Sequence, residues 1–375
     1  MVSTGVFLVV GMCVFFSYVH DRFVLPHLVI LVQPIAIVVT IVAFGDESGI
    51  AAAARGQLIG AVVQLVVFAP LVWGTVLRPR FPLLGWSVIS RFCRPIPAAA
   101  ASLIPVSVVP LVDRVMASGL GEGGISYLAY SWTIALAGGS ILSRGIATAL
   151  FPFLSRQNVV DRDNFQRLVS TGLILFAILI VPVGLGVSVF GERMASVLLV
   201  RGNFHSTDAH AVGDLLRWHG ISTAALAVWV ITNRAAYAMD RYGIVGRIGV
   251  VFAILYVALG VAGRALGGLH GIAIANAISW TAIAGWAVAA IVGAGAVHER
   301  KPFIRAMISA PIGGACVLAI VWVYNGALIA PKSFGSAIGF AVMAGVVYAG
   351  VIRYVGGVSL AKAFRWGARS GQVVA

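Results

Sequence analysis

The sequence predicts an all-α, polytopic integral membrane protein with about 11 transmembrane helices. Hydrophobic residues make up 60% of its 375 residues, charged residues only 10%, and the mean hydropathy is +1.01. A soluble domain would carry charge on roughly a quarter of its residues. Apolar runs of spanning length, about 20 residues each, recur along the chain between short polar breaks. This leaves no room for a sizeable extramembrane domain, which excludes a soluble catalytic module.

Each apolar run is expected to be helical, because lipid offers no hydrogen-bond partner to free backbone groups. Pro34, Pro105 and Pro182 lie inside runs and should kink their helices rather than end them. The first run is no signal peptide, because residues 1–5 include no basic residue. The runs fall at about 2–19, 28–45, 50–77, 92–112, 125–151, 167–190, 216–238, 244–263, 269–296, 304–328 and 334–356.

Basic residues are concentrated in alternate connections, which predicts the orientation of the chain. Seventeen of the 26 Lys and Arg residues fall in one set of connections and seven in the other. By the positive-inside rule the richer set is cytoplasmic. The N-terminus is then expected outside, and the C-terminus in the cytoplasm. The net charge of +14 is mostly explained by topology, so it does not indicate a nucleic-acid partner. The richer set contains Arg22, Arg78, Arg80, Arg91, Arg94, Arg156, Arg162, Arg167, Arg234, Arg241, Arg247, Arg300, Lys301, Arg305, Lys362, Arg365 and Arg369.

Two motifs recur in the same order and predict an internal repeat. Residues 18–23 and 237–242 share the pattern Y-x-x-D-R followed by an aromatic residue, at an offset of 219. Residues 49–53 and 271–275 share G-I-A-x-A, at an offset of 222. Both D-R turns fall on the same predicted side, which indicates parallel repeats related by an axis along the membrane normal. Chance similarity between turns is the alternative.

The repeat also predicts the domain organisation. Three helices, beginning near 92, 125 and 167, precede the second copy, and none precedes the first. The first lobe is therefore expected to lack three helices, through a misassigned start or a truncated gene. The predicted parts are a partial N-terminal lobe (1–90), a six-helix lobe (91–300), a C-terminal helix pair (301–356) and a basic cytoplasmic tail (357–375).

Several further motifs follow the pattern of one membrane protein family. Residues 113–130 contain an aspartate, then A-S, then G-x-I-S-x-L-x-Y, and residues 147–155 read A-T-A-L-F-P-F-L-S. Residues 198–204 read L-L-V-R-G-N-F and are followed by Asp208. Together with the turn at 237–242, these motifs resemble the MurJ/MviN family of lipid-linked peptidoglycan precursor flippases, within the multidrug/oligosaccharidyl-lipid/polysaccharide exporter superfamily.

The resemblance implies a transporter of the bacterial cytoplasmic membrane rather than an enzyme. Lobes that rock about a cationic cavity would carry the headgroup of lipid II, a polyprenyl-pyrophosphate-linked precursor, from the cytoplasmic to the outer face. The implied partners are the lipid-linked oligosaccharide, membrane lipids and cell-wall synthesis proteins. No cofactor is implied, and a coupling ion or the membrane potential would drive transport. A flippase for another lipid-linked glycan and a transport-incompetent scaffold are the alternatives.

Arg144 is the first candidate for substrate binding. It lies inside the run at 125–151 with no acidic residue within four positions, and an ionisable residue within a spanning helix indicates function. Its guanidinium suits a pyrophosphate; snorkelling to the membrane surface is the alternative. Thr133 stands where the family has a required arginine, about three helical turns earlier on nearly the same face. Arg114 completes the predicted substrate-binding set.

Asp113 and Asn276 are the candidates for a cation site. Asp113 matches an aspartate that contributes to such a site in some family members, and Asn276 falls where a threonine is usual. Tyr256 takes the place of an asparagine of that site. A surface pair formed by Asp113 and Arg114 is the alternative. No metal site is predicted: His205, Asp208 and His210 lack the helical spacing of a zinc site, and the glycine-rich stretch at 119–124 is predicted to be a turn.

Overall fold

The computed structural model describes residues 2–19, 24–75, 86–139, 162–326 and 334–357, and the regular structure within them is helical. Contacts divide the chain into two compact units, Met1–Ile89 and Ser90–Ala375. The helices are α1 (Val2–Val19), α2 (Val24–Ile30), α3 (Val32–Ser48), α4 (Ile50–Thr75), α5 (Trp86–Cys93), α6 (Ile96–Ala117), α7 (124–139), α8 (Arg162–Leu199), α9 (Ser206–Ala238), α10 (Tyr242–Gly293), α11 (Arg300–Gly326) and α12 (Phe334–Tyr354).

Each predicted apolar run overlaps one of these helices. Among the described residues, seven helices are long and apolar enough to cross a membrane, which confirms the all-α, polytopic prediction. The predicted runs and the observed helices differ most at their ends, because polar residues end a hydrophobic run without ending a helix. Thus α6 continues past the run at 92–112, and α8 extends beyond both ends of the run at 167–190. The last part of the run at 125–151 lies outside the described residues.

The prolines behave in two ways. Pro105 and Pro182 lie inside α6 and α8, which continue through them as predicted. Pro34 instead lies in the first turn of α3, after an interruption at Leu31. Leu31 nevertheless keeps helical dihedral angles, and Leu28–Ser48 is one candidate span through Pro34, so the run is interrupted there without being ended. A proline costs little in the first turn, where its missing N–H would have no helical partner.

The first unit is packed around the pair α3 and α4, with α1 against α4. Gly60 of α4 allows close approach, since a methyl group at that position would lie 2.8 Å from the Cα of Gln33. Gln64 is buried and donates a hydrogen bond of 3.0 Å to the Val29 carbonyl. A small core of Val10, Cys13, Val29 and Phe68 completes this unit.

In the second unit, α10 consists of two helices joined by a tight turn, as the separate runs at 244–263 and 269–296 predicted. The backbone leaves helical geometry at Gly267 and Gly268, and the φ of Gly268 is 56°, in the left-handed region that favours glycine. Gly263 and Gly271 face each other across the turn, too close for a Cβ on either. The two halves of α10 therefore form a close hairpin.

Small residues also bring α8 and α9 together. A methyl group on Gly184 would lie 2.5 Å from the Gly220 carbonyl oxygen, and one on Gly213 would lie 2.5 Å from the Cα of Glu192. Such contacts are the usual basis of helix association in lipid, where burial of apolar surface gives little driving force. The core beside this seam contains large side chains, including Phe165, Phe176, Trp229, Phe252 and Trp280.

Candidate functional site

The candidate site is a buried polar group inside the second unit, which we call the Asp113 cluster: Asp113, Tyr256 and Asn276. The Tyr256 hydroxyl donates a hydrogen bond to Oδ1 of Asp113. The Asn276 amide interacts with the same hydroxyl, but neither of its side-chain polar atoms makes a well-formed hydrogen bond within the described part of the chain. Asp113 is 6% exposed, and the other two residues are fully buried.

Local sequence explains why these three side chains meet. Gly260 lets α10 approach α6, since a methyl group there would lie 2.5 Å from the sulfur of Met116. Tyr256 is about one turn before Gly260, and Asp113 about one turn before Met116, so the two face each other. The hairpin within α10 then places Asn276 of its second half beside Tyr256 of its first.

The Asp113 carboxyl has no cationic partner among the described residues. The four ion pairs found there involve only Glu192 and Asp214 as acids. Burial of a carboxylate without a counter-charge is costly, and a hydrogen bond offsets only part of that cost. Arg114 is exposed and forms no ion pair with Asp113. The alternative of a surface pair is therefore wrong for Asp113, because its position in α6 faces the interior.

The donor atoms of the Asp113 cluster fit a small hard cation chemically. Asp113 supplies carboxylate oxygens, Tyr256 a hydroxyl oxygen and Asn276 an amide carbonyl, which are the ligands that hard cations prefer. The Asn276 amide is buried and makes no well-formed hydrogen bond within the described residues, which is also consistent with a further ligand in this place. The cluster contains both residues of the predicted cation site, Asp113 and Asn276, together with Tyr256.

A second buried polar pair lies in the same unit. The Ser131 hydroxyl donates to the Leu128 carbonyl at 3.0 Å and lies 2.9 Å from Nδ1 of His219. Because that hydroxyl has one proton, Ser131 must accept from Nδ1–H, which leaves Nε2 as a buried acceptor. Nε2 has no hydrogen-bond partner within the described ranges.

Aromatic side chains connect this pair with the Asp113 cluster. The rings of Trp132 and His219 are 5.5 Å apart, and Trp132 stacks on Trp280 at 6.4 Å. Trp280 in turn contacts Phe252 at 4.6 Å, and Phe252 stacks on Tyr256 at 5.7 Å. The sequence analysis missed His219. An ionisable residue inside the run at 216–238 was the available signal.

Of the predicted substrate-binding residues, the structure describes two, Thr133 and Arg114. Thr133 is on the exposed side of α7, where its hydroxyl donates to the Ala129 carbonyl at 2.7 Å. Arg114 is exposed near the end of α6, and Arg144 lies outside the described residues.

The stretch around His205 has a structural role. Asp208 caps α9 by accepting from the His205 N–H at 2.8 Å, and it also accepts from the Tyr127 hydroxyl at 2.5 Å. His210 instead faces Glu192 at 3.1 Å and Asp214 at 3.5 Å. Asp208 and His210 therefore have different partners, and no group of three metal-ligating side chains was found in the described part of the chain.

These features define the class. The chain is a multi-pass helical membrane protein, with helices joined at small-residue seams and with unpaired polar groups buried in one unit. Such groups are expensive inside a membrane and are typical of transport proteins.

The chain belongs to the MurJ family: the sequence profile described as "Lipid II flippase MurJ" matches residues 6–352. The probable lipid II flippase MurJ of Vibrio cholerae is 28% identical over 227 residues, covering 56% of this chain and 42% of that protein. The probable lipid II flippase MurJ of Haemophilus influenzae is 26% identical over 290 residues, covering 73% and 55%. The chain thus spans about half the length of these relatives.

A solved structure described as "Lipid II flippase MurJ, inward closed conformation" has the same fold. It superimposes with a TM-score of 0.70 at 14% sequence identity, covering 94% of this chain and 72% of that one. The family resemblance and the fold class predicted from the sequence are both confirmed.

Proposed function

We propose that this chain acts in the translocation of lipid II across the bacterial cytoplasmic membrane, as a transporter and not as an enzyme. The observation that carries the proposal is the match of the MurJ profile to residues 6–352. The helical fold and the buried polar groups support it, because a flippase must pass a polar headgroup through a protein while its lipid tail remains in the bilayer. The charge bias of the connections supports an outside N-terminus and a cytoplasmic C-terminus.

In this proposal, arginine side chains bind the substrate. A pyrophosphate binds best to a fixed positive charge with paired N–H donors, which a guanidinium provides. Arg144 is the proposed ligand, with Arg114 as a second. Thr133 contributes a hydroxyl at a position where the family has an arginine, so headgroup binding in this chain would depend more strongly on Arg144.

The Asp113 cluster is the proposed site of a coupling cation. Asp113 and Asn276 would supply oxygen ligands and one negative charge, and Tyr256 would hold the carboxyl in place. Unfolding temperatures of the purified protein in NaCl and in choline chloride test this role. A sodium-specific rise that is lost in Asp113→Asn supports it, and equal temperatures in both salts contradict it.

Complementation tests the transport proposal. The chain is expressed in a strain depleted of its own MurJ, and purified chain in proteoliposomes is assayed for access of labelled lipid II to a membrane-impermeant reagent. We expect the chain to flip lipid II. The rate of flipping should fall at least tenfold in Arg144→Ala and change little in Arg217→Ala. Arg217 is a matched control, because it is exposed and paired with Asp214 at 3.2 Å.

Two results would contradict the proposal. Flipping of another lipid-linked glycan in preference to lipid II would assign a different substrate. Absence of both rescue and flipping from a folded, membrane-inserted chain would assign a scaffold role. The variant Thr133→Arg tests the scaffold role further, since it restores the charge that the family has at this position. A gain of transport in this variant would identify Thr133 as the reason why the native chain does not flip lipid II.

A further inference from the structure

Pro182 interrupts the hydrogen bonds of α8 in the middle of a helix of 38 residues. A proline has no N–H, so the carbonyl four residues earlier, that of Ile178, loses its helical donor. Within lipid or a protein core an unpaired carbonyl is costly. The stretch around Pro182 is therefore the weakest point of α8 and the place where its two halves bend most easily.

Tyr348 of α12 supplies the missing donor. Its hydroxyl donates a hydrogen bond of 3.1 Å to the Ile178 carbonyl, although the two residues are 170 positions apart. The Tyr348 ring is 7% exposed and packs in a cluster with Ile178, Val317 and Ile352. The bond is thus a buried, directed contact between the C-terminal helix pair and the bend of α8.

Two adjacent glycines of α11 make room for this contact. A methyl group on Gly313 would lie 2.9 Å from Cδ2 of Tyr348. One on Gly314 would lie 3.1 Å from Cγ1 of Val181, beside Pro182. The helix α11 is therefore in close contact with the tyrosine on one side and with the bend of α8 on the other.

The other interior prolines differ from Pro182. Pro105 and Pro110 of α6 and Pro311 of α11 also lie inside helices, and they free the carbonyls of Ala101, Val106 and Met307. No side-chain donor bonds to any of those carbonyls within the described ranges. The Ala101 carbonyl instead lies against Gly249, which has no side chain to donate a hydrogen bond. Of these four prolines, only Pro182 has a freed carbonyl that accepts a hydrogen bond from a hydroxyl of another helix.

We propose that the helix pair α11–α12 is a clasp on α8. Tyr348 replaces the hydrogen bond that Pro182 removes, so the bend of α8 is fixed while the pair is docked and becomes a hinge when Tyr348 withdraws. The inference goes beyond the proposed function, since it concerns how the second unit changes shape and does not depend on which lipid is transported.

A double-mutant cycle tests the clasp. Tyr348→Phe keeps the ring but removes the donor, and Pro182→Ala gives residue 182 an N–H that can bond to Ile178 itself. Pro182 is exposed, so its replacement opens no core cavity; Pro182→Ser serves if the alanine variant folds poorly. The measurement is hydrogen–deuterium exchange of the peptide at 175–190 in the purified full chain.

Tyr348→Phe is expected to speed exchange of this peptide about five-fold, the range of one net hydrogen bond. In the Pro182→Ala background the same change should have less than half that effect, because the freed carbonyl no longer exists. Tyr354→Phe is the matched control: its ring is on the same helix but 80% exposed, and no change is expected. An equal effect of Tyr348→Phe in both backgrounds, or none in the native background, overturns the clasp.

Discussion

The seam between α8 and α9 offers a sharp test of how this bundle is held together. Gly184 is buried there, and a methyl group added to it would lie 2.5 Å from the Gly220 carbonyl oxygen and 2.9 Å from the Cβ of Ala224. Ordinary contact begins at 3.4 Å, so the helices would have to separate by about 0.9 Å. A gap of that size forfeits a quarter to a half of the dispersion energy of each contact. Gly184→Ala should therefore lower the free energy of unfolding by about 1–3 kcal/mol.

Gly186→Ala is the matched control. Gly186 lies two residues further along α8, and a methyl group there meets nothing within 4 Å. Its replacement should be neutral or slightly stabilising, because alanine favours a helix over glycine by up to about 1 kcal/mol. Reversible unfolding of both variants in detergent, followed by tryptophan fluorescence, measures the difference. Equal stability of the two variants would refute the view that close backbone contact holds this seam.

Two further predictions concern single side chains. Tyr256→Phe should lower the free energy of unfolding by about 1–3 kcal/mol, because the buried Asp113 carboxyl then loses its hydrogen-bond donor. Thermal unfolding of this variant and of the exposed control Tyr354→Phe measures the effect, and equal melting temperatures of the two variants would contradict it. Asp240 has a φ of 58°, in the left-handed region. Asp240→Ala should cost about 1 kcal/mol whereas Asp240→Gly should not, and the reasoning is wrong if chemical denaturation finds the alanine variant as stable as the glycine variant.

The fold was largely predictable because its main determinant is local. A spanning helix must be apolar over about 20 residues and must pair its own backbone groups, so each span is visible in its own stretch of sequence. The errors lie where polar residues extend a helix beyond its apolar part, as at the end of α6. Hydropathy does not describe this case.

The cation site stays a prediction. Asp113 and Asn276 were proposed for it through the family resemblance, and the structure shows that both are buried and that Tyr256 donates to Asp113. His219 was missed, although its place in an apolar run was a usable signal. The role of Arg144 stays a prediction. What could not be foreseen is the pairing itself, since Asp113 and Tyr256 are 143 positions apart and His219 and Ser131 are 88 apart.

By itself the sequence determined the class, the spans and the expected orientation of this protein, because the membrane acts on composition and charge one segment at a time. The tertiary structure decided which polar groups meet: the partner of Asp113, the buried acceptor on His219, and the tyrosine that completes the hydrogen bonds of α8. These pairings depend on how closely helices approach, which is governed by glycines such as Gly260 and Gly313. Close approach between helices far apart in sequence is a property of packing, and neither hydropathy nor charge records it.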